Sequence, residues 1–492
     1  MTRILLIQPP WQRFFGNRVQ TPPIALNHVA SHVKEKMPHV SVDVYNADFT
    51  NKHLSIVNSY SYCKHHSDYV ERLNASGDVI WRQVRAVISD FKPDIVGISA
   101  MTSSYISALR VSAIVKEINP KTIVVFGGKH PTALPAQTLS NQSVDFVVIG
   151  DGEETFVDLI LNWECPEKVP GIAYRDLEGG VIINAARPAI YDINSLPLPV
   201  FDSAITRYGY EDKKNAGIST WSLVAARGCP FQCVYCASDK KIRYRSPEHV
   251  MCEVRIIKDR YGITRFCFED DSFTLDKGRA LELCRLLKKS GVKWICNTRV
   301  DLITKELVGV MKESGCESVA IGIETGSPKT MRLINKKIDY DRIEWAIREF
   351  KKNGIFVTGY FIIGFPWENI FDMQQTMALI KRLPVDDFQL NIATPLPGTK
   401  MFEELVAAEK INIEKEDWSR YHQGSLWMNF SEYPDHEWLA MMRGFLKEAD
   451  FLYKKRLIGK TLRMFFSNPV LVTKKIANKL ITTGRYYFHK IL

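Results

Sequence analysis

"ARGCPFQCVYCAS", residues 226–238, places Cys229, Cys233 and Cys236 within eight residues, spaced C-x3-C-x2-C. Disulfides pair thiols in twos, so three clustered cysteines fit them poorly. Structural zinc takes four ligands. No close Cys or His completes such a set here, and His249 lies thirteen residues beyond Cys236, within a Pro-started helical pattern. An iron–sulfur cluster is held by cysteine thiolates. With three of them, one iron is left for a substrate or cofactor. Gly228 and Pro230 help shape a loop of this kind.

Outward from the loop, apolar strands alternate with helical patterns. Strands are expected at 219–226, 264–269, 292–297, 317–323, 355–363 and 386–393. Helices are expected at 247–260, 276–289, 303–314, 339–353 and 369–382. Six βα steps describe a partial barrel, short of the eight in a closed one. The three cysteines follow its first strand, at the end where βα barrels carry their chemistry. The earlier half repeats the alternation. "RILLIQ" (3–8), "VSVDVYNA" (40–47), "DIVGISA" (94–100), "TIVVFGG" (122–128) and "DFVVIG" (145–150) read as buried strands of a parallel, doubly wound sheet. Ligands bind beyond the carboxyl ends of such strands. Those ends carry "QPPW", "SAMTSS", "GGKHPT" and "GDGEET".

A chain of 492 residues exceeds one core, and its 46% hydrophobic and 24% charged residues suit a globular protein. The fold class is therefore α/β. A Rossmann-like domain is expected at 1–165, a connector at 166–215, the partial barrel at 216–400 and a C-terminal helical region with a basic tail at 401–492. No apolar run is long enough to span a membrane. "MTRILLIQPPW" reads as a first strand rather than an export signal, so the cysteines are expected reduced and the protein cytoplasmic. The net charge of +10 resides in residues 451–492, which hold ten Lys or Arg and no Asp or Glu. That aromatic-rich tail fits peripheral contact with an anionic membrane surface, or a helix packed on the barrel. Recognisable RNA-binding modules are missing, so no nucleic-acid partner is expected.

The cysteine spacing after a first barrel strand, with Tyr235 before the last cysteine, resembles the radical S-adenosylmethionine superfamily. "CFEDDSFT" (267–274), "CNTRVD" (296–301), "VAIGIETGS" (319–327), "GYFIIGFPWE" (359–368) and "NIATPLPGT" (391–399) stand where that family carries its cofactor motifs. The first half resembles the cobalamin-binding domain that precedes the barrel in one subgroup, through "QTPPIALNHVASHV" (20–33), "GGKHPTALPAQTL" (127–139) and "VDFVVIGDGEETFVDLI" (144–160). The resemblance implies a [4Fe-4S] cluster on Cys229, Cys233 and Cys236, with S-adenosylmethionine on the remaining iron. It implies cofactor contacts from Tyr235, Asp270, Asp271, Arg299 and Glu324, and cobalamin near Gly127, Gly128 and His130. Asp-x-His-x-x-Gly, whose His ligates cobalt in many cobalamin proteins, does not occur, and His130 has the wrong neighbours for it. Cobalamin is then expected without a protein His ligand.

The implied reaction begins with an electron from an external one-electron reductant. Cleavage of S-adenosylmethionine gives a 5′-deoxyadenosyl radical, which takes hydrogen from an unactivated carbon of a small-molecule or lipid-like substrate. Methylcobalamin would then methylate that carbon. Radical cyclisation or carbon–carbon coupling without methyl transfer is the alternative, and a non-catalytic cobalamin sensor a third. A methylthiotransferase needs three N-terminal cysteines, whereas only Cys63 and Cys165 precede the loop. Cys252, Cys267, Cys284, Cys296 and Cys316 read as buried small hydrophobes.

Overall fold

The computed structural model describes residues 2–16, 22–49, 59–199 and 220–467, with side chains of the last helix to residue 458. The basic end of the tail and the last part of the connector lie outside these residues.

The first sheet comprises β1 (Arg3–Gln8), β2 (Ser41–Asn46), β3 (Ile95–Ser99), β4 (Ile123–Gly127), β5 (Phe146–Val148), β6 (Ile172–Arg175) and β7 (Val181–Ile183), in the order β2-β1-β3-β4-β5-β6-β7. The first five strands run parallel. In β1 four successive residues, Ile4 to Ile7, are buried, because a central parallel strand is covered on both faces. Alternation then sorts them. Ile4 and Leu6 pack with residues of helices Ile24–Lys36 and Gly152–Asn162. Leu5 and Ile7 join the core formed with helices Val79–Phe91 and Tyr105–Ile118. Within the expected connector, "GIAYRDLEGGVI" (171–182) forms the hairpin of β6 and β7, which pairs antiparallel with β5 and so extends this sheet.

The second sheet is wholly parallel, in the order β15-β14-β13-β12-β11-β8. Its strands are β8 (Trp221–Leu223), β11 (Arg265–Phe268), β12 (Lys293–Thr298), β13 (Cys316–Glu324), β14 (Phe356–Ile363) and β15 (Asp387–Ile392). Between β8 and β11, β9 (Ala226–Arg227) and β10 (Arg243–Tyr244) form a short antiparallel pair around the cysteine loop. In β14 every second residue, Val357, Gly359, Phe361 and Ile363, is buried. The alternate positions Thr358, Tyr360 and Ile362 are half-buried, and Ile362 faces the barrel's open cavity. Local signals set the helix ends: Ser246 Oγ accepts from His249 N with Pro247 at the first helical position, and Gly262 closes that helix at φ 65°.

The core beneath the second face of the first sheet continues into the barrel core without a break. A 33-residue helix, Asp435–Ser467, packs against the last strand and against helix Ile370–Arg382. No helix among the described residues is long and apolar enough to cross a membrane. Cys284, Cys296 and Cys316 are buried and Cys267 half-buried, but Cys252 is exposed on the outer helix Pro247–Tyr261.

Candidate functional site

The cysteine loop is closed where the chain enters and leaves it. Gly228 has φ 92°, and a Cβ there would stand 2.3 Å from the Lys241 carbonyl, so only glycine fits. Cys229 N donates to Asp239 O at 2.7 Å, and Cys236 N to Cys233 O at 3.1 Å. Asn335 Nδ2 and Lys240 Nζ donate to the loop carbonyls of Gln232 and Phe231. The three thiols are half-buried. Among the described residues no three His, Cys, Asp or Glu side chains converge on a single metal ion. A cluster presents a separate iron to each thiolate, so its ligands need not converge. Burial pushes the Cys229 and Cys236 thiols above the ordinary thiol range; iron ligation reverses that by deprotonating them. The Arg299 guanidinium lies 3.8 Å from Cys233 Sγ, a cation suited to a thiolate. The loop fits the cluster.

Around it, the expected cofactor residues take different places. Arg299 stacks its guanidinium 3.5 Å from the centre of the Phe231 ring and pairs with Asp301 through two hydrogen bonds, 3.1 and 2.9 Å. Asp271 faces the cavity and accepts from Ser238 Oγ. Asp270 does not face it. Its buried carboxylate accepts from Ala225 N at 2.6 Å and so anchors the approach to the cysteine loop, while burial raises its pKa to about 6. Glu324 ends β13 with φ 71°, at a register shift against β14. Such a bulge re-aims a side chain at a strand end. Its carboxylate pairs with Lys336, both buried, and a Cβ at Gly322 would come 2.2 Å from Glu324 Oε1 and 2.5 Å from Lys336 Nζ and so displace that pair. Tyr235 sits beside Glu324. Burial, and then that carboxylate, hold its phenol well above the ordinary range, and its ring lies 5.9 Å from Phe365.

On the opposite side, Gly127 and Gly128 line the cavity. Gly128 has φ 104°, and a Cβ would meet Ala100 O at 2.6 Å. His130 is turned away. It is fully buried, stacked 3.9 Å from Tyr105 and edge-on to Trp418, with its ring nitrogens 3.3 Å from Thr102 Oγ1 and 3.2 Å from Gln137 Oε1. Both nitrogens are therefore taken, and burial lowers its pKa to about 4. His130 packs the loop and is not among the residues that line the cavity.

The two sides share one cavity of about 1110 Å³. Its walls include Ser99, Gly127 and Gly150 from the first domain, and Tyr235, Cys236 and Ser238 from the cysteine loop. One part of it is apolar, lined by Leu6, Gly97, Val125 and Val148 of the first sheet and by Phe156 of helix Gly152–Asn162. Glycine backbone at the rim and an apolar cleft below suit a large flat cofactor with an extended appendage.

Several residues at this site carried no sequence signal. His422 lines the cavity with its Nε2 3.1 Å from His66 Nδ1, a contact across 356 positions. Burial lowers their pKa values to about 3 and about 4. Lys129 reaches from the first domain to Ala237 O beside the last cysteine, at 3.4 Å. Lys336 and Phe231 were likewise unmarked, since nothing in their local pattern distinguishes them from surface or packing residues.

Comparison with known proteins agrees with both halves. Residues 223–380 match the Radical SAM superfamily and residues 18–160 match the B12 binding domain. An uncharacterized methyltransferase of Pyrococcus horikoshii is 31% identical over 487 residues, 96% of this chain and 94% of its own length. The anaerobic magnesium-protoporphyrin IX monomethyl ester cyclase of Rubrivivax gelatinosus is 30% identical, over 69% of this chain and 62% of its own. Among solved structures, the radical S-adenosylmethionine methyltransferase TsrM from Kitasatospora setae, with cobalamin and [4Fe-4S] cluster bound, superposes with a TM-score of 0.62 at 16% identity, covering 83% of this chain and 75% of that one. The chain belongs to the radical SAM superfamily, in the group whose barrel is preceded by a B12-binding domain.

Proposed function

We propose that the protein is a cobalamin-dependent radical methylase acting on an unactivated carbon of a small molecule. The observation that carries the reading is a cavity walled both by the B12-domain loops and by the cysteine loop, so that the two cofactors would meet in one space. Its similarity to a methyltransferase over nearly its whole length supports the same reading. When bound, the cluster supplies the electron that cleaves S-adenosylmethionine to a 5′-deoxyadenosyl radical, and cobalamin supplies a transferable methyl group.

In this reading Cys229, Cys233 and Cys236 hold the cluster, and Arg299 offsets their negative charge. Asp271 faces the cavity where a carboxylate accepts from an ammonium group. Glu324, held by Lys336, and Tyr235 fix the inner side of the loop. Gly127 and Gly128 let backbone approach the corrin. The buried interface excludes water from a reactive radical. The electron comes from an external reductant. A radical cyclisation without methyl transfer is the second reading, favoured by similarity to the cyclase.

Anaerobic reconstitution with hydroxocobalamin and S-adenosylmethionine carrying a deuterated methyl group, followed by mass spectrometry of products from cell extract, separates them. Methylation places the labelled methyl in a product together with release of 5′-deoxyadenosine. Release of 5′-deoxyadenosine with an unlabelled, rearranged product overturns the methylase reading and favours the cyclase-like one.

A further inference from the structure

We propose that Asp151, in the turn after β5, is a positioning residue that holds the cysteine loop closed from across the domain boundary. The loop's two stems are β9 and β10, and Arg227 stands directly opposite Arg243 in that pair. Like charges facing each other across a strand pair destabilise it. Asp151 bridges them. Its Oδ1 accepts from Arg227 Nη1 at 3.3 Å and from Arg243 Nη2 at 3.4 Å, and its Oδ2 accepts from Arg243 Nη1. Glu153 adds a bond to Arg227 Nη2 at 2.5 Å. Within the loop, Asp239 bonds Arg243 Nη2 at 3.1 Å and its carbonyl accepts from Cys229 N.

The group is well screened from solvent: the side chains of Arg243 and Glu153 are 5% exposed, those of Asp151 and Arg227 16% and 20%. Loss of the Asp151 charge would leave Arg227 to Glu153 and Arg243 to Asp239, with neither of those carboxylates bonded to both guanidiniums, and at such burial breaking a charge pair costs more than at the surface. Arg227 is two residues from Cys229, so its side chain transmits the docking of the B12 domain to the first thiol. "GDGEET" thus does more than start a helix. The cysteine loop is shaped fully only when the first domain is seated on it. This rests on the cysteine loop holding the cluster and is independent of whether a methyl group is transferred.

The test uses the full chain, reconstituted anaerobically with iron, sulfide and hydroxocobalamin. Asp151→Asn keeps the size and removes the charge; Asp151→Glu is the conservative rescue; Glu153→Gln touches Arg227 alone. Amide exchange across 228–242 should accelerate about tenfold in Asp151→Asn while 316–324 keeps its rate, as expected when one local opening equilibrium is released. Iron should pass to a chelator faster, and the paramagnetic resonance change of the reduced cluster on adding S-adenosylmethionine should weaken. Asp151→Glu should restore most of each, and Glu153→Gln should give a smaller acceleration confined to the same segment. Unchanged exchange and iron loss in Asp151→Asn overturn the proposal. So does equal acceleration throughout the chain in both Asp151 variants. Should Asp151→Asn not fold, unchanged exchange in Glu153→Gln overturns it.

Discussion

Two adjacent glycines, both on the cavity wall, should respond to the same substitution differently, one in stability and the other in binding. Gly128 holds φ 104° and ψ −175°, a region open almost only to glycine. A Cβ there lies 2.6 Å from Ala100 O and 3.0 Å from Ala100 N. Both are backbone atoms, so no side chain can swing aside. Gly128→Ala should cost roughly 1–3 kcal/mol in backbone conformation alone. For a domain of this size that corresponds to roughly 2–12 °C in the melting transition of the B12 domain. Gly127 has no positive φ, and the nearest atom to its Cβ is 4.0 Å away, so Gly127→Ala should leave the apo protein within about 0.5 kcal/mol of its starting stability. Its added methyl occupies open space at the wall. If a corrin approaches that backbone, one methyl too many costs about 1–3 kcal/mol of binding, or roughly 5- to 150-fold in affinity. Scanning calorimetry of the apo chain and absorbance titration with hydroxocobalamin read the two quantities separately. Unaltered melting in Gly128→Ala, or unaltered cobalamin affinity in Gly127→Ala, would refute the reasoning for that residue.

Replacing Cys229, Cys233 and Cys236 by Ala should abolish one oxygen-sensitive cluster and all S-adenosylmethionine cleavage, whereas Cys316→Ala, buried in β13, should keep both; iron analysis and 5′-deoxyadenosine release check this. Lys336→Met leaves the Glu324 carboxylate buried without its cation, which should cost about 3–5 kcal/mol by denaturant unfolding of the barrel. Asp270 should make the apo protein less stable as pH rises. Its folded pKa of about 6 exceeds its ordinary 3.8, so the folded state binds the extra proton, and stability is full below about pH 4 and falls until about pH 6. Relative to Asp270→Asn, the wild type should lose roughly 3 kcal/mol across that interval; parallel pH profiles for the two proteins would count against this.

Where chemistry and fold depend on neighbours in the chain, the sequence alone was decisive. Three thiols within eight residues announce a cluster loop because ligand spacing is a local property. The central strands of the first sheet are legible because a strand covered on two faces is apolar along its length, and those of the barrel because every second residue is buried. Register and orientation were decided only in three dimensions. Asp270 and Asp271 look equivalent in sequence, yet one lies under the loop and the other faces the cavity, because successive side chains at a strand end point to opposite sides. His130 stands in a loop that lines the cavity, but Tyr105 and Trp418 enclose its ring, and Trp418 is 288 residues away in the chain. The grip of Asp151 on Arg227 and Arg243 spans 76 and 92 residues. No periodicity or motif encodes such a pairing. It exists because two distinct sheets turn the carboxyl ends of their strands toward the same cavity, and burial there makes each unmatched charge find a partner.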